Sequence, residues 1–410
     1  MILFEIKKIF SKTSNKIAVL ILMAVLIMVF WTAIRSPEVN FVNSYGEREV
    51  GISAAHSLRE AKKEWAGTLT EDKIKEAIKE NTRINNTKEA TSDDIVKQDI
   101  AFGWKQGIMD IYDLLGESFV PYGQYDYYKA DSLKTSDAED FYSNRTEKFA
   151  QWTKGGGEGV LTEGEQSYIL QKYSELKTPF NYDYADGWKQ LLGSSPMLLV
   201  MTALILSFIM SGVFSGEFAL KADPIFFSSR YGRSKAIWAK LKAAIITVTV
   251  IYIAVMAIYT AVILICLGAD GGSCPIQTEA VKWYSIYNIT FVKAYALIVL
   301  GGYIGTLAVS LISMLISVKT RSAILAAVIP FVLLLMPSYI PDTAIPVIRK
   351  IAGLLPDQLL QLNLVLGKFN LYGFGDNVTG AANLLPVMYL AVVLILCPVI
   401  FLCYRKLEAK

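Results

Sequence analysis

Histidine is nearly missing from this chain: His56 stands alone among 410 residues. A two-histidine helical zinc motif therefore cannot be built, and a Ser-His or Cys-His nucleophilic centre has one residue to draw on. His56 falls in a polar helical stretch and reads as a solvated surface side chain. Four cysteines are too few and too scattered for a disulfide framework. Cys397 and Cys403 belong to an apolar run, where packing accounts for them. Cys266 and Cys274 leave one disulfide open, which their separation permits without requiring. No GxxxxGK[ST] phosphate loop occurs: Gly367-Lys368 is followed by Phe369 and lacks the upstream glycine and the hydroxyl. Catalytic, cofactor-binding and metal-binding signatures are thus all missing, so the chain reads as a non-enzyme.

Charge is also scarce. Only 19% of residues are Asp, Glu, Lys or Arg and the net charge is +3, while 53% are hydrophobic and the mean hydropathy is +0.39. The apolar residues are bunched, the profile of a membrane protein. The basic residues sit beside apolar runs rather than in a patch with interleaved aromatics, so no nucleic-acid partner is implied.

What is present is a series of apolar runs. Residues 1–16 place Ile2, Leu3, Ile6, Ile9 and Phe10 at helical spacing with Lys7, Lys8 and Lys12 between them, an amphipathic helix for the inner leaflet. Residues 17–34 carry no charge over roughly 27 Å of helix, enough to cross a hydrocarbon core of about 30 Å. Phe30, Trp31, Arg35 and Pro37 follow in place of a small-residue cleavage site, favouring an uncleaved span over a signal peptide. Further spans are predicted at 197–214, 243–267, 294–318, 322–340 and 383–404, giving an α-helical polytopic membrane protein with six transmembrane helices. Pro330, Pro337, Pro386 and Pro398 read as kinks. Lys7, Lys8, Lys12 and Lys16, the cations of loop 215–242, Lys319 with Arg321, and Arg405, Lys406 and Lys410 all fall on one side, which the positive-inside rule makes cytoplasmic. Both termini are then inside the cell. The exterior loops after the insert hold Lys282, Arg349, Lys350 and Lys368 by comparison.

Residues 35–195 form a polar insert between spans one and two, of domain size and mainly helical. Helices are predicted over 47–65, over 71–81 behind a Thr68–Glu71 capping box, and over 95–119. Ser136 with Glu139 and Thr162 with Glu165 repeat the starting signal. Breakers stand at Pro121, at Gly155 to Gly157 and at Pro179. Tyr122 to Tyr128 and Phe180 to Tyr184 are aromatic clusters that serve either as core or to receive a ligand. Within the exterior segment 341–382, residues 345–366 are apolar but interrupted by Arg349, Lys350, Pro356 and Asp357. Since each mid-membrane charge costs about 2.5 to 3.5 kcal/mol, the segment is either re-entrant or an exterior loop rather than a crossing. Gly301, Gly302 and Gly305 supply a GxxxG step for close packing within the chain or between two chains. No ionisable residue lies well inside a span, which argues against an ion-coupled carrier.

The loop between the second and third spans is dense in cations: Lys221, Arg230, Arg233, Lys235, Lys240 and Lys242, against Glu217 and Asp223. VFSGEF at 213–218, Lys221-Ala222-Asp223 and SSRYGRSKAIWAKLKAA at 228–244 resemble the cytoplasmic segment after the second span in permease subunits of ABC-type export systems of Gram-positive bacteria. PFNYDYADGWKQLL at 179–192, the amphipathic N-terminus, the large extracellular insert and the interrupted segment before the last span resemble the same group. Ala222 stands where that pattern commonly has glycine, and Ile225-Phe226-Phe227 is bulkier, which bears on the shape of the turn. The resemblance implies docking of a separately encoded ABC ATPase that holds ATP and Mg, through Glu217, Asp223, Arg230, Tyr231, Gly232, Arg233 and Lys235. It also implies a second permease chain, identical or related, and an amphipathic or hydrophobic cargo moved outward. On composition alone those cations serve only to set topology and meet anionic membrane lipids. A membrane-anchored sensor or scaffold whose extracellular domain binds a ligand or protein is the alternative.

Overall fold

The computed structural model describes residues 1–154, 161–339, 346–374 and 377–407. Gly155 to Gly157, Ile340, Pro341 through Ile345 and Lys410 lie outside the described residues. The chain opens with α1 (Ile2–Ser11) and α2 (Thr13–Ile34), separated by an extended Lys12. Asn15 locks this corner by donating to the Ile9 carbonyl at 2.8 Å.

The insert begins with the antiparallel ribbon β1 (Asn40–Val42) and β2 (Arg48–Val50). The helix expected over 47–65 is therefore shorter: Gly51, at φ 74°, turns the strand into α3 (Ile52–Lys63). His56 is exposed on α3. Thr68 is drawn into β3 (Gly67–Thr68), so the expected capping box does not form; Thr70 instead caps α4 (Glu71–Asn85) by accepting the Lys73 amide. The single helix expected over 95–119 is two, α5 (Ile95–Lys105) and α6 (Met109–Phe119). A Cβ at Gly103 would lie 2.4 Å from the Val42 carbonyl oxygen, and one at Gly107 would lie 3.0 Å from that of Ala61. Between them Gln106 leaves the helix to accept the Val42 amide at 2.7 Å and donate to Asn40 O at 2.8 Å, serving β1 as a neighbouring strand would. Ser136 and Glu139 lie in a 3₁₀ turn in which Asp137 takes the Lys134 amide. After α7 (Ser143–Lys154), α8 (Glu163–Ser174) starts with the expected Thr162–Glu165 box, its reciprocal bonds 2.9 and 3.3 Å long. β4 (Asn181–Tyr182) pairs with β3.

Next comes α9 (Asp186–Ala219), whose first turn packs on the insert. Lys62 of α3 pairs with Asp110 of α6 at 3.1 Å and with Asp186 at 2.8 Å, and Lys189 reaches Asp110 at 2.8 Å. Burial opposes the Lys62 charge, yet Asp110 and Asp186 hold its ammonium above the lysine range. This buried cluster fastens the insert to the head of α9. A short α10 (Asp223–Ser228) and the long α11 (Lys235–Leu267) follow, then 3₁₀ turns, α12 (Phe291–Thr320) and α13 (Ala323–Leu335) with a 3₁₀ extension to Tyr339. Three short helices, α14 (Pro346–Ala352), α15 (Pro356–Leu360) and α16 (Leu362–Val365), precede the hairpin β5 (Leu371–Phe374) and β6 (Asn377–Gly380) and the last helix α17 (Ala381–Arg405).

Five described helices, α2, α9, α11, α12 and α17, are long and apolar enough to cross a membrane; α13, over the fifth predicted span, is a shorter apolar helix. α9 and α12 form the central pair and are mostly buried, whereas α2, α11 and α17 leave most of their apolar residues uncovered. Ser313 and Ser317, one turn apart on α12, donate to the carbonyls of Ser207 and Ser211 on α9 at 2.9 and 2.6 Å. Ser317 also accepts the Ser215 amide, so it is inserted into the α9 ladder. The glycine step on α12 is filled from within the chain: Leu359 and Leu362 lie over Gly301, Leu360 over Gly305, and Leu199 over Gly302. Buried aromatics of the insert (Phe141, Phe149, Phe180) share one core with Trp283 and Tyr284 from the later 268–288 loop. The insert is thus packed into the rest of the molecule rather than standing apart as a separate domain.

Candidate functional site

α2 runs from α1 to the insert and α9 returns from it, so α1 and the 220–234 segment share the end of the bundle opposite the insert. The turn that opens this segment is a Schellman arrangement, with Ala222 N donating to Glu217 O at 2.9 Å and Lys221 N to Phe218 O at 3.0 Å. The left-handed position such a turn requires is occupied by Lys221, at φ 51°, and not by Ala222. The turn expected to be unusual at Ala222 is therefore ordinary there and strained one residue earlier.

Pro224 sits in the first turn of α10, where a missing amide costs no hydrogen bond. The bulky Phe pair is the anchor of α10. Phe227 is buried, and Phe226, Phe227, Phe214 and Phe218 surround Tyr404 of α17 at ring separations of 5.8, 5.3, 4.6 and 6.1 Å. Ile225 between them turns outward, 76% exposed, as do Leu220 at 71% and Tyr231 at 41%. Gly232 is buried because a Cβ there would fall 1.8 Å from the Phe226 carbonyl oxygen, which no other residue tolerates. Arg230 and Lys235 flank the Tyr231 ring at 5.3 and 4.9 Å. Arg233 lies over Phe227 at 5.1 Å and donates to the Arg405 carbonyl at 3.4 Å. Of the seven residues expected to dock a partner, Arg230, Tyr231, Arg233 and Lys235 are exposed around the buried Gly232. Asp223 begins α10, and its side chain lies outside the described ones.

Glu217 departs from the expectation. It is 5% exposed and faces inward, its Oε1 accepting from Lys8 and from Lys240, each at 2.6 Å. Lys240, with no exposed surface, also reaches Glu5 at 3.1 Å and lies under the Phe226 ring at 5.4 Å. Lys12 donates to Gly212 O at 2.9 Å, its ammonium filling the space that a side chain at Gly212 or Gly216 would take. Burial, then the Lys8 and Lys240 charges, hold Lys12 below the usual lysine range. Glu217 thus binds α1, α9 and α11 together beneath α10 instead of presenting a charge to a partner. Sequence reasoning missed Glu5 and Tyr404 and read Lys8 and Lys240 only as cations that set topology, since no local spacing links them to Glu217.

Elsewhere, Cys266 and Cys274 are free thiols, so the disulfide left open by the sequence is not formed. Phe180, Tyr182 and Tyr184 are core, whereas Tyr125, Tyr127 and Tyr128 are exposed and Tyr122 packs on Trp152 and Tyr284 at 4.8 Å each. Among the described residues no His, Cys, Asp or Glu group could hold a metal ion. In comparison with known proteins, residues 16–403 match the family described as ABC-2 family transporter protein. No curated protein matches the chain, and no solved structure does.

Proposed function

The chain belongs to the ABC-2 transporter family and is a multi-pass membrane subunit of a transporter without a nucleotide-binding domain of its own, and from that premise we propose that it is the permease of an ATP-driven exporter. Separately encoded ABC ATPases, carrying ATP and Mg, dock on the 220–235 segment in the cytosol. The observation that carries this reading is the contrast within that segment: Leu220, Ile225, Arg230 and Tyr231 face outward while Phe226, Phe227 and Glu217 fix the same short stretch to the bundle. Exposed aromatic, aliphatic and guanidinium groups on a rigid base are the composition of a protein-docking face.

Movement of a bound ATPase is passed to α17 through the Phe–Tyr404 cluster, to α9 directly, and to α1 and α11 through Glu217. The chain crosses the cell membrane six times with both termini inside and the insert outside, α15 and α16 lying at the outer interface. A second permease chain completes the route, and the cargo is amphipathic or hydrophobic (a peptide, a lipid or a drug-like molecule), moved outward as the resemblance of the loop implies. Replacing Arg230 alone, and Arg230 with Arg233, by Glu should remove the ATPase that co-purifies from native membranes while leaving the melting temperature within a few degrees. An unchanged yield of complex would overturn the docking role.

A further inference from the structure

At the insert end of the bundle, a cavity of about 480 Å³ lies where the insert meets the segment leading to α17. Its volume is in the range that houses a small ligand. Tyr122 and Trp152 enter it from the insert, Arg349 and Asp357 from α14 and α15, and Lys368 and Phe369 from the loop before β5. Tyr122 stacks on Phe369 at 5.7 Å, so the three aromatics make one continuous wall.

Asp357 is the group this cavity leaves unexplained. Its side chain has no exposed surface; Oδ2 accepts from the amides of Gln358 at 2.7 Å and Gln361 at 3.4 Å, while Oδ1 has no hydrogen-bond partner. Among the described residues no Lys or Arg pairs with it, although a buried carboxylate is costly without a counter-charge. Lys350, the nearest cation in sequence, is already engaged by Glu165 at 2.6 Å. Burial pushes the Asp357 carboxyl up to about 6. The same cavity is lined by the cations Arg349 and Lys368, for which the described residues supply no ion pair. A cavity lined by an uncompensated acid, by aromatic rings and by uncompensated bases is complementary to a molecule carrying both charges.

We propose that this cavity binds a zwitterion, with an ammonium group against Asp357 and the Tyr122–Trp152–Phe369 wall and a phosphate or carboxylate toward Arg349 and Lys368. A phospholipid headgroup and a free peptide both carry that pair of charges. The site connects to the central helices: α15, which starts beside Asp357, seats Leu359 and Leu360 on Gly301 and Gly305 of α12. Occupancy is therefore felt on α12 whether or not an ATPase docks at the other end.

The test uses the purified full chain in detergent without any ATPase, so its outcome is independent of the docking reading. Dihexanoyl phosphatidylethanolamine, trialanine and the single-charge analogues dihexanoyl phosphatidic acid and hexylammonium are titrated by calorimetry. Saturable binding of at least one zwitterion is expected, at least tenfold tighter than either analogue, and weakened at least tenfold by Asp357→Asn and by Lys368→Met. Binding of the lipid alone assigns the headgroup, binding of the peptide alone assigns a peptide, and both together assign the shared charges. No saturable binding of either zwitterion, equal binding of an analogue, or unaltered binding by both folded variants overturns the assignment.

Discussion

Lys221 holds a left-handed backbone, φ 51°, at the point where α9 hands over to α10. A side chain costs about 1 kcal/mol there relative to glycine. Lys221→Gly is therefore expected to raise stability by about that amount, read as a melting temperature higher by a few degrees in detergent; a lower one would mean that the lysine side chain makes up for its backbone. Asp357 gives a second prediction, with a pH signature. Burial raises its carboxyl from the ordinary 3.8 to about 6. Between those values the folded chain keeps a proton that the unfolded chain has released, so stability falls as pH rises through that window, by about 3 kcal/mol at the limit. Asp357→Asn cannot ionise and should melt with wild type near pH 4 but above it at pH 7.5. Parallel melting curves across that range would show that the acid is compensated. At this scale the sequence marks which residues are unusual and not why. Gly232 stands out in the basic loop, but the Phe226 carbonyl that demands it is a contact of the folded turn. Glu217 reads as a free acid among cations because the lysines that bury it come from α1 and α11.

Helices whose ends are set by local chemistry were legible: α8 starts where Thr162 and Glu165 say it should. Helices whose ends are set by a distant partner were not. The 95–119 run has an unbroken apolar period, and only the approach of β1 to Gly103 explains its division into α5 and α6. The same holds for the joint of α1, α9 and α11, which depends on two acids and two lysines that share no local pattern. Those charges are unequal, and the geometry orders them. Removing Glu217 strands Lys8 and leaves the fully buried Lys240 with Glu5 alone, whereas removing Lys240 leaves the Glu217–Lys8 pair intact. Breaking a buried ion pair from one side costs about 3 to 5 kcal/mol. Glu217→Gln should approach that figure and Lys240→Met should cost clearly less, measured by thermal melting of the two variants in one detergent. The reverse order would place the stabilising contact at Glu5.

For the whole molecule, the large features follow from amounts of apolar surface and charge, and these are properties of the sequence. Residues 17–34, 197–214, 243–267, 294–318 and 383–404 all fall within long helices of the structure. The fifth run is the instructive one. α13 has 13 residues, about 20 Å of helix, and its 3₁₀ extension of 4 residues adds about 8 Å. Together they approach the roughly 30 Å of a hydrocarbon core, although neither is long enough alone. The chain also has to change ends here, because Thr320 lies at the end that carries α10 while Lys350 is bonded to Glu165 of the insert. Sidedness tests this directly. In a chain with its four cysteines replaced, Thr320→Cys and Ser229→Cys should react with a membrane-impermeant maleimide only after the cells are opened. Tyr125→Cys and Lys368→Cys should react from outside in intact cells. Labelling of Thr320→Cys from outside would reduce the crossings before it by one, and with them the charge argument that assigns α10 to the cytosol.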